Sequence, residues 1–234
     1  MRYWILAVLI SAPAVAQPTS VQPNYCFGFL NAAPNRPDLP NEEALRIQKS
    51  HLAHLTALAE KRWLVAAGPV LTPGGPRGFL ISKCKSLAEA NELTSADPAV
   101  QKGRLVAKNH LWSGPEGIGD GYWKQKAENP RAPDRMVKMV VALLQKGADW
   151  KGWPAPEVIA AHRSNIESLR KAGPLVAAGP FQPGGDWLGV FIFQGMTLEE
   201  ARRTAEQDPL ASRGNAHAVA YEWMVAEGVF PKSP

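Results

Sequence analysis

Beyond its first residues the sequence has no long apolar run, which excludes a membrane span in the mature chain. It has no stretch of Lys or Arg dense enough for a nucleic-acid surface. The formal net charge of +5 is spread over predicted helices and loops. Its 21 prolines and 20 glycines are scattered rather than repeated, so a disordered chain is not the reading either. Cysteine is scarce, with only Cys26 and Cys84, and none follows the expected processing site, so no lipid anchor is implied. What remains is the composition of a globular protein, 45% hydrophobic and 20% charged.

The apolar residues at the start have a different meaning. Met1-Arg2 supplies a short positive region, Tyr3 to Ile10 is apolar, and Ala14-Val15-Ala16 before Gln17 has the small-x-small form of a cleavage site. Residues 1–16 therefore read as a secretory signal, too short to span a bilayer as a stable helix. The mature chain is expected to be periplasmic or secreted and soluble, and loss of Arg2 takes its net charge from +5 to +4.

The rest of the chain repeats. Leu64-Val65-Ala66-Ala67-Gly68-Pro69 returns as Leu175-Val176-Ala177-Ala178-Gly179-Pro180, an offset of 111 residues. The same offset aligns His51 with His162, Asp97-Pro98 with Asp208-Pro209, Gly103 with Gly214 and Trp112 with Trp223, with one single-residue gap near Arg77 and Leu188. This is a tandem duplication. The first copy spans Asn24 to Gly119 and the second Arg135 to Phe230. Asp120 to Asp134 reads as a linker, whose Tyr122 and Trp123 pin it to a domain or cover a ligand.

Within each copy the apolar period changes in a fixed order. Tyr25 to Leu30 and Met136 to Leu143 suit central strands. A helix from Asn41 to Lys61 follows, with Leu45, Leu52, Leu55 and Leu58 at helical spacing, as are Ile159, Ile166 and Leu169 in the second copy. The Leu64 and Leu175 strands end at Gly-Pro, and further strands begin at Gly78 and Gly189. Ser86-x-x-Glu89 and Thr197-x-x-Glu200 are capping boxes that open a second helix, which Asp-Pro then stops. Last strands run from Leu105 to Trp112 and from Ala216 to Val225. The order β-α-β-β-α-β predicts an α+β fold of two ferredoxin-like units. The sheet face away from the helices is apolar too, so the copies are expected to pack sheet to sheet as an intrachain pseudo-dimer, with or without further self-association. An oxidising compartment favours pairing of Cys26 with Cys84. Taking the first and third strands as parallel puts them at opposite ends, too far apart to bond, and unpaired thiols are the expectation.

Few reactive residues survive the duplication. His51 and His162 share one position on the first helix, and Asp97 and Asp208 another, after the second helix. The ordered set His51…Leu64-Val65-Ala66-Ala67-Gly68-Pro69…Asp97-Pro98, and its repeat His162…Leu175 to Pro180…Asp208-Pro209, resembles the YciI-like (YCII-related domain) family across nearly the whole mature chain. The resemblance implies the dimeric α/β-barrel superfamily, which includes muconolactone-isomerase-like enzymes. It also implies that each His meets its Asp in a pocket as an acid/base dyad. One departure stands out: many members carry Arg three residues before the His, where this chain has Gln48 and Ile159. A substrate anion gripped by that Arg would be held differently here, or be absent.

An Asp that accepts one imidazole N–H fixes the tautomer and aims the other nitrogen at a ligand, so His51 and His162 are candidate general acid/base residues oriented by Asp97 and Asp208. The same pair can equally be structural, a helix histidine bonded to a capping carboxylate, which would leave a non-catalytic binding or assembly module. No Ser or Cys nucleophile is repeated, which disfavours covalent acyl chemistry. His54 makes His-x-x-His with His51, but its counterpart is Asn165 and no further ligands cluster, so no metal or other cofactor is expected. Trp112 and Trp223 read as core with one edge available to a ligand. The expected partner is a small molecule, not nucleic acid or membrane.

Overall fold

The computed structural model describes residues 24–231. The expected signal at residues 1–16 lies outside them. In the first copy β1 (Tyr25–Ala32), α1 (Asn41–Glu60), β2 (Leu64–Pro69), β3 (Gly78–Ser82), α2 (Leu87–Ser95), α3 (Pro98–Gln101) and β4 (Leu105–Trp112) follow one another. The second copy repeats them as β5 (Met136–Lys146), α5 (Pro156–Lys171), β6 (Leu175–Pro180), β7 (Trp187–Gln194), α6 (Leu198–Glu206), α7 (Pro209–Ser212) and β8 (Ala216–Ala226). Between them α4 (Asp120–Glu128) makes most of the linker helical. No helix of the described residues is long and apolar enough to cross a membrane.

Each copy forms a four-stranded sheet, ordered β2-β3-β1-β4 and β6-β7-β5-β8, in which every pairing is antiparallel. The helical crossover returns β2 parallel to β1, and the tight turn then reverses β3. The expectation of parallel first and third strands was therefore wrong, and with it the separation of the cysteines. Cys26 lies opposite Ser82 on β3, Cys84 follows two residues later, and the two form a disulfide with Cα atoms 5.8 Å apart.

The sheets bury their inner faces against each other. Phe27, Phe29, Phe79, Ile81, Val141, Leu143 and Ile192, from alternate positions of both sheets, make one core, the period-two pattern of half-buried strands. Aromatic rings meet across the copies: Phe29 stacks on Trp187 at 5.8 Å, and Phe27 meets Phe181 edge-on, also at 5.8 Å. Smaller clusters lie under the helices, around Leu30, Leu58, Leu64 and Leu80 in the first copy and around Val140, Phe191 and Phe193 in the second.

The edges of the sheets are sealed to each other as well. Past the end of β2, Val70 bridges Trp223 and the Leu71 amide donates to the Glu222 carbonyl at 2.8 Å. In the symmetric place Trp112 bridges Phe181, and the Ser113 amide donates to the Pro180 carbonyl at 3.0 Å. The indoles complete each seam. Trp223 donates to the carbonyl of Gly68, and Trp112 to that of Gly179, both at 3.1 Å. The two sheets thus close into a barrel with a pseudo-twofold, and each copy supplies the same parts to its partner.

The helices depart from expectation in three details. Leu45 and Leu52 of α1 are 62% and 53% exposed, while the buried residues of α1 are Ile47, His51 and Leu58. A stripe rotated from the leucines is tolerated because Asp97 satisfies the imidazole. The Thr197 box is reciprocal, whereas the Glu89 carboxylate reaches past Ser86 to accept from the Lys85 amide at 2.7 Å. Asp97 and Asp208 do more than follow a helix: each is the N-cap of a short one, α3 or α7, with Pro at its first position.

Candidate functional site

The motif residues come together as the family resemblance implies. Asp97 turns its Oδ1 to the Ala99 amide at 2.8 Å, which fixes the carboxylate at the start of α3. Its Oδ2 accepts from Nδ1 of His51, at 2.6 Å, on the buried side of α1. In the second copy Asp208 Oδ1 accepts from the Leu210 amide at 2.8 Å and from Nδ1 of His162 at 2.7 Å. Both carboxylates are buried, Asp97 2% and Asp208 0% exposed. An ionised carboxylate only accepts, so the imidazole proton sits on Nδ1 and the Nε2 lone pair is left free. Neither Nε2 hydrogen-bonds another group among the described residues. No buried side-chain nitrogen or oxygen there lacks a partner, so each Nε2 retains accessible surface.

Each histidine lines a cavity in its own copy. In the first, His51 lines a cavity of about 300 Å³ with Gln48, Leu55, Gly68, Pro69, Leu80 and three arginines, Arg36, Arg77 and Arg104. In the second, His162 lines a cavity of about 190 Å³ with Trp153, Ile159, Ile166, Phe181, Phe191 and one arginine, Arg163. Both lie between the first helix and the outer face of the sheet. Each also touches the seam: Gly68 and Gly179 line the cavities and carry the carbonyls that take the indole bonds, and Ser113 of the first copy lines the second cavity.

The copies differ around the carboxylates. Asn165 donates Nδ2 to Asp208 Oδ2 at 2.7 Å, so Asp208 accepts three hydrogen bonds where Asp97 accepts two. Its counterpart His54 turns away from Asp97, and its Nε2 meets the Leu93 carbonyl instead, at 3.1 Å. No group of three or more potential metal ligands occurs among the described residues. Trp112 and Trp223 are fully buried, with their N–H groups directed to the opposite copy, and neither is among the residues lining these two cavities.

A family model of the YCII-related domain matches residues 29–109 and 139–224, one span in each copy. The chain belongs to the YCII-related family. The matched spans contain both His–Asp pairs and both Leu-Val-Ala-Ala-Gly-Pro strands. No curated protein matches the chain. Among solved structures, a variant of chlorite dismutase from Candidatus Nitrospira defluvii aligns with a TM-score of 0.54 at 12% identity, over 88% of this YCII-related chain and 92% of that one. A heme-binding protein from Thermus thermophilus aligns with a TM-score of 0.53 at 17% identity, over 91% and 95%. At such identities the likeness establishes the fold, a dimeric α/β barrel within one chain.

Sequence reasoning missed Asn165, and it missed the three arginines of the first cavity. The repeat contained a signal for two of them: at the same offset Arg77 and Arg104 become Leu188 and Asn215. Positions where two copies of one fold diverge in charge mark where their cavities differ.

Proposed function

We propose that this YCII-related protein is exported and acts on a small molecule by general acid/base proton transfer, of isomerase or lyase type, with His51 and His162 as the proton-moving groups. One observation carries the reading. Each imidazole is held at Nδ1 by a buried, backbone-anchored carboxylate, leaves Nε2 without a hydrogen bond among the described residues, and belongs to a histidine that lines a cavity. Asp97 and Asp208 set the tautomer and favour the imidazolium that forms when Nε2 takes a proton. The disulfide between Cys26 and Cys84 supports an oxidising compartment, in keeping with the signal read in residues 1–16.

The fold neighbours raise heme as a ligand. His162, with Nδ1 held by Asp208, has the form of an axial ligand. Its cavity of about 190 Å³ lies below the roughly 300–1,000 Å³ of ordinary ligand pockets, and a porphyrin is a large ligand. The first cavity, at about 300 Å³, is only at that lower bound. The residues present do not fit the group, and no step is assigned to it.

The test is proton exchange. Lactones, keto acids and hydroxy-aromatic compounds that raise the melting temperature of the mature protein would be incubated with it in D₂O and followed by proton NMR. The expected result is loss of a carbon-bound proton signal with the parent and not with the His51→Gln/His162→Gln variant. Exchange that persists in the variant, or a panel in which no compound binds or exchanges, would sink the acid/base reading and leave the pairs as helix anchors.

A further inference from the structure

Three arginines line one cavity. Arg36 comes from the β1–α1 connection, Arg77 from the residue before β3 and Arg104 from the residue before β4. The antiparallel order brings these three chain segments to one end of the sheet, where the Arg77 amide donates to the Leu30 carbonyl at 2.6 Å and the Ala33 amide to the Arg104 carbonyl at 3.2 Å. Among the described residues none of the three side chains forms a salt bridge; the arginines that do are Arg46, Arg135 and Arg202. No Asp or Glu lines this cavity. Three like charges brought together without a carboxylate repel one another, and a bound anion would relieve that repulsion. The planar fork of arginine matches carboxylate and phosphate oxygens two at a time.

We propose that the first-copy cavity is an oxyanion site, in which Arg36, Arg77 and Arg104 hold the carboxylate or phosphate group of a small molecule beside His51. The second cavity, with Leu188 and Asn215 in the places of Arg77 and Arg104 and Arg163 as its one arginine, does not share it and takes an apolar or aromatic ligand. The two sites of the barrel are therefore unlike in ligand chemistry although alike in their His–Asp pairs. This assignment rests on the small-molecule half of the proposed function and not on proton transfer.

The experiment is calorimetric titration of the full mature chain with inorganic phosphate and, separately, with malonate, at low and high salt. Binding is expected for at least one probe, weakening with salt. It should fall by at least about tenfold in Arg77→Gln/Arg104→Gln, the loss of roughly one charge-assisted contact. Arg163→Gln in the second cavity should leave it within about twofold, and anion binding is read here without any proton exchange, which separates this inference from the acid/base reading. Preference for phosphate or for malonate identifies which oxyanion the site accepts. Arginine changes of this kind, away from any salt bridge, leave folding nearly untouched, and circular dichroism of each variant checks that. Failure of both anions to bind the parent, or equal binding to the Arg77→Gln/Arg104→Gln variant, overturns the proposal.

Discussion

Replacing Gly68 by alanine should unseat one of the two seams that close the barrel. A Cβ at Gly68 would lie 1.8 Å from the Met224 carbonyl oxygen, where ordinary contact begins at 3.4 Å, so β8 must retreat by about 1.6 Å. The obstacle is backbone, with no flexible side chain to swing aside. A retreat of that size breaks the Leu71–Glu222 bond of 2.8 Å and the Trp223 bond to Gly68 of 3.1 Å. Each such bond contributes about 0.5–1.5 kcal/mol, and overpacking adds about 1–3 kcal/mol. Against this, Gly68 has no left-handed backbone angle, so alanine there would restrict the unfolded chain and return about 0.4–1 kcal/mol. The net expectation is a loss of about 1–6 kcal/mol, which for a domain of this size lowers the melting temperature by roughly 2–22 °C. Differential scanning calorimetry is the assay, with Gly185→Ala as control, since a Cβ there meets nothing within 4 Å. If Gly68→Ala melts with Gly185→Ala, the close approach is not what that glycine is for, and the account of the seam fails.

Reducing the Cys26–Cys84 bond, or replacing both residues by alanine, frees a loop with a separation of 58 residues and should cost about 4 kcal/mol on the loop-entropy estimate; a urea midpoint that does not move would contradict it. His110 packs against the rings of Phe29 and Phe181 at 5.2 and 5.5 Å, and burial, with Lys108 nearby, holds its pKa below the ordinary 6.5. Because the folded-state value is depressed, the unfolded chain takes up the proton first. His110's contribution is therefore complete above pH 6.5, falls as the pH drops towards the folded-state value, and levels off below it. In urea titrations between about pH 8 and about pH 5, His110→Asn should show a shallower decline than the parent.

The element order and the duplication were legible in the sequence, because each rests on local periodicity or on a pattern present twice, and the meeting of His with Asp came from the family resemblance. Strand direction was the weak link. Cys26 lies on β1 and Cys84 just past β3, and the sign of the β1–β3 pairing decided whether they could bond. The exposed Leu45 and Leu52 show a second limit. A helical stripe of leucines looks like a core face, and only the partner carboxylate explains why His51 is buried in its place. The linker is a third case: its helix α4 was not foreseen, but it is held through Tyr122 and Trp123, the two aromatics expected to pin it. The Arg62 guanidinium sits 3.5 Å over the Trp123 ring, and the Tyr122 hydroxyl donates to Asp134 at 2.9 Å.

The repeated Leu-Val-Ala-Ala-Gly-Pro strand looked like part of the chemical signature, but its glycine serves the seam. Gly179 reproduces the Gly68 geometry, with a Cβ 1.8 Å from the Ser113 carbonyl oxygen, and each glycine carbonyl takes the indole bond of the other copy. The shared motif thus divides into residues that close the barrel and residues that face the cavities. In a symmetric homodimer of such units both cavities would be identical, since one sequence builds both. Fusing the copies lifts that restriction while leaving the seam its twofold requirement. The chain shows both effects: Gly68, Trp112, Gly179 and Trp223 match in type and contact, whereas Arg77 and Arg104 are replaced by Leu188 and Asn215. Duplication in one chain is therefore the physical condition for two unlike ligand sites on a single closed barrel.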